Sequence, residues 1–273
     1  MNKIVAIVVT YYPEKSLLLP NVNAFIDYVD KVLIWENTPN NLTDYRYFKE
    51  NDKIEYCGGG INSISKALNY AWKYAVQNEY DYLLTMDQDS QWVNFAYYLS
   101  RTINNPDAPY GIYGPCVNDK IYEEEFYNHD LITSGMLVPV KILNEVNGYN
   151  ESFRVDGIDT FLCYSVQEKG YGTYSVANCV LKQRFGNFGG TSFARYRFST
   201  YNYPAIRLYE IFKSQIIIMR RFNTDKNYKK AFSIRIRKWP IKILLVENDK
   251  WNKLSAIAKG IIAGLFYNTK KMS

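Results

Sequence analysis

The chain reads as an α/β protein: a twisted, mostly parallel sheet flanked by helices, followed by a C-terminal helical region. Three observations predict this. In the first part of the chain, short β-branched apolar runs alternate with amphipathic stretches, as expected when parallel strands are buried on both faces. The 273 residues are 47% apolar and 22% charged, which suffices for a packed core in one large domain with an appendage. From about Ser199 the pattern turns wholly helical and cationic, which separates residues 199–273 from a domain over 1–198.

The elements follow in order. "KIVAIVVT" (3–10) is a buried first strand, broken by Pro13, and Leu17 to Tyr28 forms a helix. "KVLIWEN" (31–37) is a second strand that ends in the turn-prone "NTPNN", and "DKIEYC" (52–57) is a third, followed by three glycines. "INSISKALNYAWKYAVQN" (61–78) places Ile64, Ala67, Leu68, Ala71 and Ala75 on one helical face. "YDYLLTM" (80–86) is the next strand. Residues 110–198 are less regular. "LITSGMLVPVKILNEVNGY" (131–149) gives a short strand and a helix stopped by Gly148. "RVDGIDTFLCYSVQEKGYG" (154–172) gives a helix that opens with acids and stops at Gly170, and "TYSVANCVL" (173–181) is a late strand. Three helices follow, near 199–221, 226–246 and 250–267.

Composition excludes several classes. The net charge of +6 is modest, its basic excess clusters in residues 219–239, and no zinc-finger or RNA-recognition signature is present, so nucleic acid is not an expected partner. Cys57, Cys116, Cys163 and Cys179 are scattered without metal-ligand spacing, and the start of the chain looks like a strand rather than a signal peptide. A cytoplasmic location is therefore expected. His129 is the only histidine, which leaves little room for histidine-based triads or metal sites. The 26 tyrosines imply wet clefts as well as core, because a buried phenol needs a partner.

The chemistry concentrates in "YDYLLTMDQDSQW" (80–92), where an apolar strand ends in Asp87 and Asp89. Two carboxylates this close repel, and a divalent cation with oxygen ligands, Mg²⁺ or Mn²⁺, relieves the repulsion. Asp89 or Ser90 reads equally as the cap of a helix starting near Gln91. In an open α/β sheet, ligands bind at the carboxyl ends of strands near a topological switch point, and these acids stand at such an end. A second acidic pair, Asp156 and Asp159 in "VDGIDTFL" (155–162), flanks a glycine at a helix start, where the helix dipole favours anions and simple capping is the alternative.

The ordered set "VVTYYP", "IWEN", "ISKALN", "LLTMDQDS", "ITSGMLV", "NGYNESFRVDGIDTFLCYSVQEKGY" and "RFGN" resembles the family 2 glycosyltransferases. Within that family it is similar to the bacterial branch that contains rhamnosyltransferases, over roughly residues 3–210. The resemblance implies a GT-A, Rossmann-like fold, a nucleotide-sugar donor such as dTDP-rhamnose or a UDP-sugar, and an inverting mechanism assisted by Mn²⁺ or Mg²⁺. By resemblance, Thr10 lies beside the nucleotide, and Glu36 contacts the base or ribose. Lys66 and Asn69 lie on the helix that lines the donor pocket. Asp87 and Asp89 match the metal- and diphosphate-binding motif. Ser134 and Gly135 match the segment that shapes the sugar and acceptor site, with Asp156 assigned to the same site, and Asp159 falls where the family places its catalytic base.

The chain departs from the family at three points. Gln183 in "QRFG" stands where the family often has a histidine that serves as a metal ligand. "GGGINS" replaces an asparagine-glycine pattern, and the arginine often found one helical turn after the catalytic acid is missing. Two other readings stay open. A non-catalytic nucleotide-sugar-binding protein would keep the fold without the activity. A Mg²⁺-dependent phosphohydrolase would use Asp87 as nucleophile, although its motif normally sits on the first strand of the domain.

The expected acceptor is a glycan or a lipid-linked saccharide in bacterial surface polysaccharide synthesis. The late helices interleave Arg235, Arg237, Lys238, Lys242, Lys250, Lys253 and Lys259 with Trp239, Ile241, Leu244, Leu245, Trp251, Leu254 and Ile257. Cations beside tryptophans suit peripheral contact with the inner face of the plasma membrane, and the same helices could instead form intramolecular packing or a homodimer interface.

Overall fold

A computed structural model of the protein describes residues 2–39, 48, 51–58, 60, 62–118, 124–128, 130–183, 189–193, 196–222, 224 and 226–269. His129, Gly59 and the "RFGN" motif (184–187) lie outside the described residues. The chain divides into two compact units, Met1–Arg154 with Ile158–Arg184, and Val155–Gly157 with Phe185–Ser273.

The first unit is built on strands β1 (Ile4–Thr10), β2 (Lys31–Glu36), β3 (Ile54–Cys57), β4 (Tyr82–Asp87), β5 (Ser90–Trp92), β6 (Gly111–Val117), β7 (Phe126–Asn128), β8 (Met136–Pro139) and β9 (Gly172–Gln183). Its helices are α1 (Lys15–Asn23), α2 (Ile64–Gln77), α3 (Phe95–Arg101), α4 (Val140–Glu145) and α5 (Ile158–Glu168). The strands form one sheet in the order β3-β2-β1-β4-β8-β6-β9-β5, with β7 added on β9. From β3 to β4 all neighbours are parallel, and β8 then runs antiparallel to β4.

Every residue of β1 is buried, because β2 and β4 flank it and helices cover the sheet. Ile4, Ala6 and Val8 pack with Leu18 and Val22 of α1 and with Phe25 just after it, and α2 lies against β1 and β4. The face expected for α2 is buried at Ala67, Leu68, Ala71 and Ala75, with Ile64 half-buried at its start. Strand register then sets the site. Thr10 stands opposite Glu36 and Val9 opposite Asp87, so the carboxyl ends of β2, β1 and β4 lie side by side. The chain leaves β1 toward β2 and returns past it to β4, which makes this the switch point of the parallel half.

One local expectation is corrected. Ser90 to Trp92 is not the start of a helix but strand β5, which pairs antiparallel with Leu181 to Gln183. Helix α3 begins only at Phe95, and Asn94 before it is held by β9: its amide donates to the Asn178 carbonyl at 2.7 Å and its oxygen accepts from the Val180 N–H at 2.9 Å. Neither Asp89 nor Ser90 caps a helix.

The second unit holds a hairpin, β10 (Gly189–Phe193) and β11 (Tyr196–Thr200), and helices α6 (Ala205–Arg221), α7 (Lys226–Val246) and α8 (Lys250–Phe266). The three late helices are those expected, except that α6 starts after Pro204, and Ser199 and Thr200 belong to β11. α8 packs closely on α6 because it presents glycines. A Cβ on Gly260 would stand 2.5 Å from the Tyr209 carbonyl oxygen, and one on Gly264 would stand 2.7 Å from Ile216 Cβ. Arg220 fastens the end of α8 by donating to the carbonyls of Gly264 at 2.7 Å and Tyr267 at 2.8 Å. Inside the unit, Lys253 is buried and pairs with Glu247 at 2.8 Å, and Thr200 donates to the other Glu247 oxygen. A buried charge is tolerated only when it is paired and hydrogen-bonded in this way.

Candidate functional site

The Asp87–Gln88–Asp89 turn connects β4 to β5 and is held from several directions. The Asp87 N–H donates to Ser134 Oγ at 3.1 Å, and its carbonyl accepts from the buried amide of Asn21 at 2.7 Å. One oxygen of its carboxylate accepts from Gln183 Nε2 at 2.8 Å. Gln88 ties the turn to the end of β1: Tyr11 N–H donates to its oxygen at 2.7 Å, and its amide donates to the Tyr11 carbonyl at 3.0 Å. Tyr12, next in the chain, takes a left-handed backbone, φ 46°, that redirects the chain at the strand end.

Ser134 and Gly135 meet Asp87 because β8 pairs with β4. Gly135 N–H donates to the Thr85 carbonyl at 2.7 Å, and Thr85 donates to the Thr133 carbonyl. Gly135 has φ +80°, and a Cβ there would stand 2.8 Å from Pro115 and 3.0 Å from Trp92, so both conformation and space require glycine. Ser134 thus positions the acidic turn through its backbone.

On the other side of β1, Glu36 is buried, and one of its carboxylate oxygens accepts from the Thr38 N–H at 2.7 Å. Thr10 donates to the Trp35 carbonyl at 3.0 Å, and Thr38 Oγ1 accepts from the Tyr12 N–H at 2.8 Å. Gly58, just after β3, closes on the same place. It has φ +121°, and a Cβ on it would lie 2.7 Å from Glu36 N, so this glycine permits close backbone approach. Thr10, Glu36, Asp87 and Ser134 are therefore gathered at one end of the sheet.

The remaining expected residues sit differently. Lys66 is exposed on α2. Asn69 on the same helix clamps the 149–151 turn: its amide donates to the Tyr149 carbonyl at 2.8 Å and to Glu151 at 2.9 Å, and its oxygen accepts from the Tyr149 N–H at 2.8 Å. Asp159 lies in the first turn of α5, half-buried, where its carboxylate accepts from the Thr160 N–H at 2.8 Å. Asp156 belongs to the second unit, where both of its oxygens accept from the Arg207 guanidinium at 3.3 Å. Burial pushes the Asp156 carboxyl above its ordinary value, against the opposing attraction of Arg207. Arg207 also stacks over the Tyr203 ring, 4.3 Å from its centroid.

Whether these residues suit a divalent cation is a question of donor atoms. Among the described residues, no three histidine, cysteine, aspartate or glutamate side chains gather. Neutral oxygens stand beside the acidic turn. Asn21 Oδ1, Ser90 Oγ and Gln183 Oε1 are buried without a hydrogen-bond partner among the described residues. Two carboxylates with orphaned neutral oxygens beside them form a hard donor set, so the residues fit Mg²⁺ or Mn²⁺. Gln88, Asn21 and Asn118, which support the turn and β9, were not singled out from sequence; the first lies inside the "DQD" motif, but its partners are distant in the chain.

No protein-family model matches the chain. A curated relative, dTDP-rhamnosyl transferase RfbF of Shigella flexneri, is 28% identical over 188 residues, 59% of this chain and 62% of that protein. The chain therefore spans about three fifths of the length of that relative. Among solved structures, the mannosyltransferase PcManGT from Pyrobaculum calidifontis, in complex with GDP-Man and Mn²⁺, superposes with a TM-score of 0.60 at 14% identity, over 97% of this chain and 76% of that one. GalNAc-T7 with UDP, GalNAc and Mn²⁺ superposes with a TM-score of 0.61 at 11% identity, over 100% of this chain and 57% of that one. The chain has the GT-A fold that its motifs imply, and the resemblance to glycosyltransferases is borne out by this relative and these folds.

Proposed function

We propose that this GT-A chain is an inverting glycosyltransferase that moves a sugar, dTDP-rhamnose being the first donor to test, onto a glycan or lipid-linked saccharide of a bacterial surface polysaccharide. The observation that carries the reading is the acidic turn Asp87–Gln88–Asp89, held rigid at the switch point beside Thr10 and Glu36. Its support comes from a relative named as a dTDP-rhamnosyl transferase and from Mn²⁺ and nucleotide ligands in structures of the same fold.

In this reading Glu36 and Thr10 receive the nucleoside end of the donor, and Asp87 and Asp89 hold a divalent cation. When bound, that cation supplies positive charge beside the departing diphosphate. Ser134, Asn21, Gln88 and Gln183 keep Asp87 from rotating, so little reorganisation accompanies reaction. Asp159 takes the proton of the acceptor hydroxyl as its oxygen bonds to the sugar's anomeric carbon and the bond to the diphosphate breaks. One displacement inverts the centre, with no covalent nucleophile. Exposed apolar and cationic positions on α7 and α8 belong to this proposal as the surface that meets the inner face of the plasma membrane.

The test is release or transfer of sugar from a panel of nucleotide-sugars with and without Mn²⁺, dTDP-rhamnose and UDP-sugars first. Metal-dependent turnover is expected. Asp159→Asn should keep donor affinity and lower turnover by ~10²–10⁴-fold, while Asp156→Asn does much less. Donor binding without turnover for every sugar would instead indicate a binding protein, and release of phosphate from simple esters would indicate a phosphohydrolase using Asp87.

A further inference from the structure

We propose that Gln183 supplies, through its side-chain oxygen, a third protein ligand to the cation held by Asp87 and Asp89, giving a metal site made wholly of oxygen donors. This inference rests on the reading that the acidic turn binds a divalent cation. Gln183 ends β9 directly opposite Ser90 across the β5–β9 pair. Its main chain is fixed on both sides by Asn118, which accepts from its N–H at 2.9 Å and donates to its carbonyl at 2.8 Å.

The orientation of the side chain is set by chemistry. A carboxylate oxygen only accepts, so the group 2.8 Å from Asp87 Oδ2 is the amide nitrogen, and the amide oxygen is the atom left over. That oxygen is buried and has no hydrogen-bond partner among the described residues. It does not stand alone. Ser90, fully buried and opposite in the pair, has an unpartnered Oγ, and Asn21, 1% exposed and bonded to the Asp87 carbonyl, has an unpartnered Oδ1. Three buried oxygens without donors around one doubly acidic turn are the inverse of what folding normally leaves behind. A divalent cation at the turn would take up these oxygens together with the two carboxylates.

An amide oxygen is a hard, neutral ligand. It suits Mg²⁺ and Mn²⁺ and offers none of the nitrogen affinity that draws Co²⁺, Ni²⁺ or Zn²⁺ to a site. The chain thus reaches a three-ligand site without histidine and lowers its preference for the softer metals.

The experiment uses the full chain and Mn²⁺ alone, read by equilibrium titration and pulsed EPR. Wild type should bind Mn²⁺ with no nitrogen coupling from an imidazole ligand. Gln183→Ala should weaken binding about 10–100-fold. Gln183→His should restore binding, show nitrogen coupling to Mn²⁺, and raise affinity for Co²⁺ and Ni²⁺ relative to Mg²⁺. Asp89→Ala reports on the underlying reading: if that variant binds Mn²⁺ as tightly as wild type, the acidic turn is not the metal site. If Asp89→Ala loses Mn²⁺ while Gln183→Ala keeps it within twofold, or Gln183→His shows no nitrogen coupling, the metal reading stands and Gln183 is not a ligand. A Gln183→Ala that fails to fold leaves the histidine variant's EPR to decide.

Discussion

Single side chains in this protein do more fastening than their positions in a motif suggest. Asn69, which the family resemblance assigns to the donor, has both amide hydrogens and an oxygen lone pair committed to Tyr149 and Glu151. Asn69→Ala leaves the Tyr149 N–H and carbonyl without partners at a buried place and should cost about 1–3 kcal/mol in urea unfolding, with donor affinity little changed. A loss of donor affinity at full stability would instead put Asn69 at the donor. Asp156 makes a pH prediction. Because burial raises its pKa in the folded state, the fold favours the neutral carboxyl over the carboxylate. That contribution to stability is full below the ordinary value of 3.8 and is lost as pH rises through the raised one. Unfolding free energies of wild type minus Asp156→Asn, measured stepwise from acid to neutral pH, should therefore fall above 3.8 and then level off. A difference that rises with pH would mean that Arg207 outweighs burial and the carboxyl is depressed.

Elements bring these side chains together, and glycines decide how closely. Gly58 is the clearest case, since it combines φ +121° with contact on the Glu36 backbone. Gly58→Ala should destabilise the fold by about 1–3 kcal/mol and weaken nucleotide binding, because relief of the clash displaces Glu36. Unchanged thermal midpoint and unchanged nucleotide titration would show that the loop can yield. This glycine also marks what was legible in the sequence. β1, β2, α2, β4 and α5 announce themselves through local period and through stops such as Gly148 and Gly170, so the parallel half and the place of Asp87 at a strand end could be read in advance. β5 could not. Its three residues carry too little pattern, and only pairing with Leu181 to Gln183 makes them a strand. The supports of Asp87 were hidden for the same reason. Asn21, Ser134 and Gln183 come from α1, from the segment before β8 and from β9, and no local spacing relates them. The hairpin β10–β11 was missed because its two five-residue strands carry too little period to read, and only Ser199 and Thr200 fell within the helix expected near 199–221.

For the whole molecule, the net charge of +6 and the surface of the second unit favour an anionic partner surface. The structure sorts the residues that sequence grouped together. Lys253 is buried on Glu247, while Trp239, Leu254 and Ile257 pack into the unit's own apolar cluster with Leu208 and Phe212, so none of these is free to meet a membrane. The large apolar residues exposed on α7 and α8 are Ile234, Ile241, Leu244 and Leu245, then Trp251 at 80%, Ile262, Leu265 and Phe266 at 86%. Arg237, Lys238, Lys250 and Lys259 are exposed on the same two helices. No helix among the described residues is long and apolar enough to cross a bilayer. Exposed tryptophan and phenylalanine with nearby cations suit insertion to headgroup depth, where each cation near an anionic surface contributes on the order of 1 kcal/mol that salt removes. Co-sedimentation with phosphatidylserine-containing vesicles should therefore be strong at low salt and weak at high salt. Trp251→Ser with Phe266→Ser should reduce it at every salt concentration, whereas Lys238→Glu with Lys250→Glu should remove mainly its salt-sensitive part. Light scattering of the same variants reads the competing outcome. If wild type stays in the supernatant with vesicles at low salt but sediments as a dimer that the Trp251 and Phe266 changes dissociate, this face joins two copies of the chain and the acceptor is reached without membrane contact.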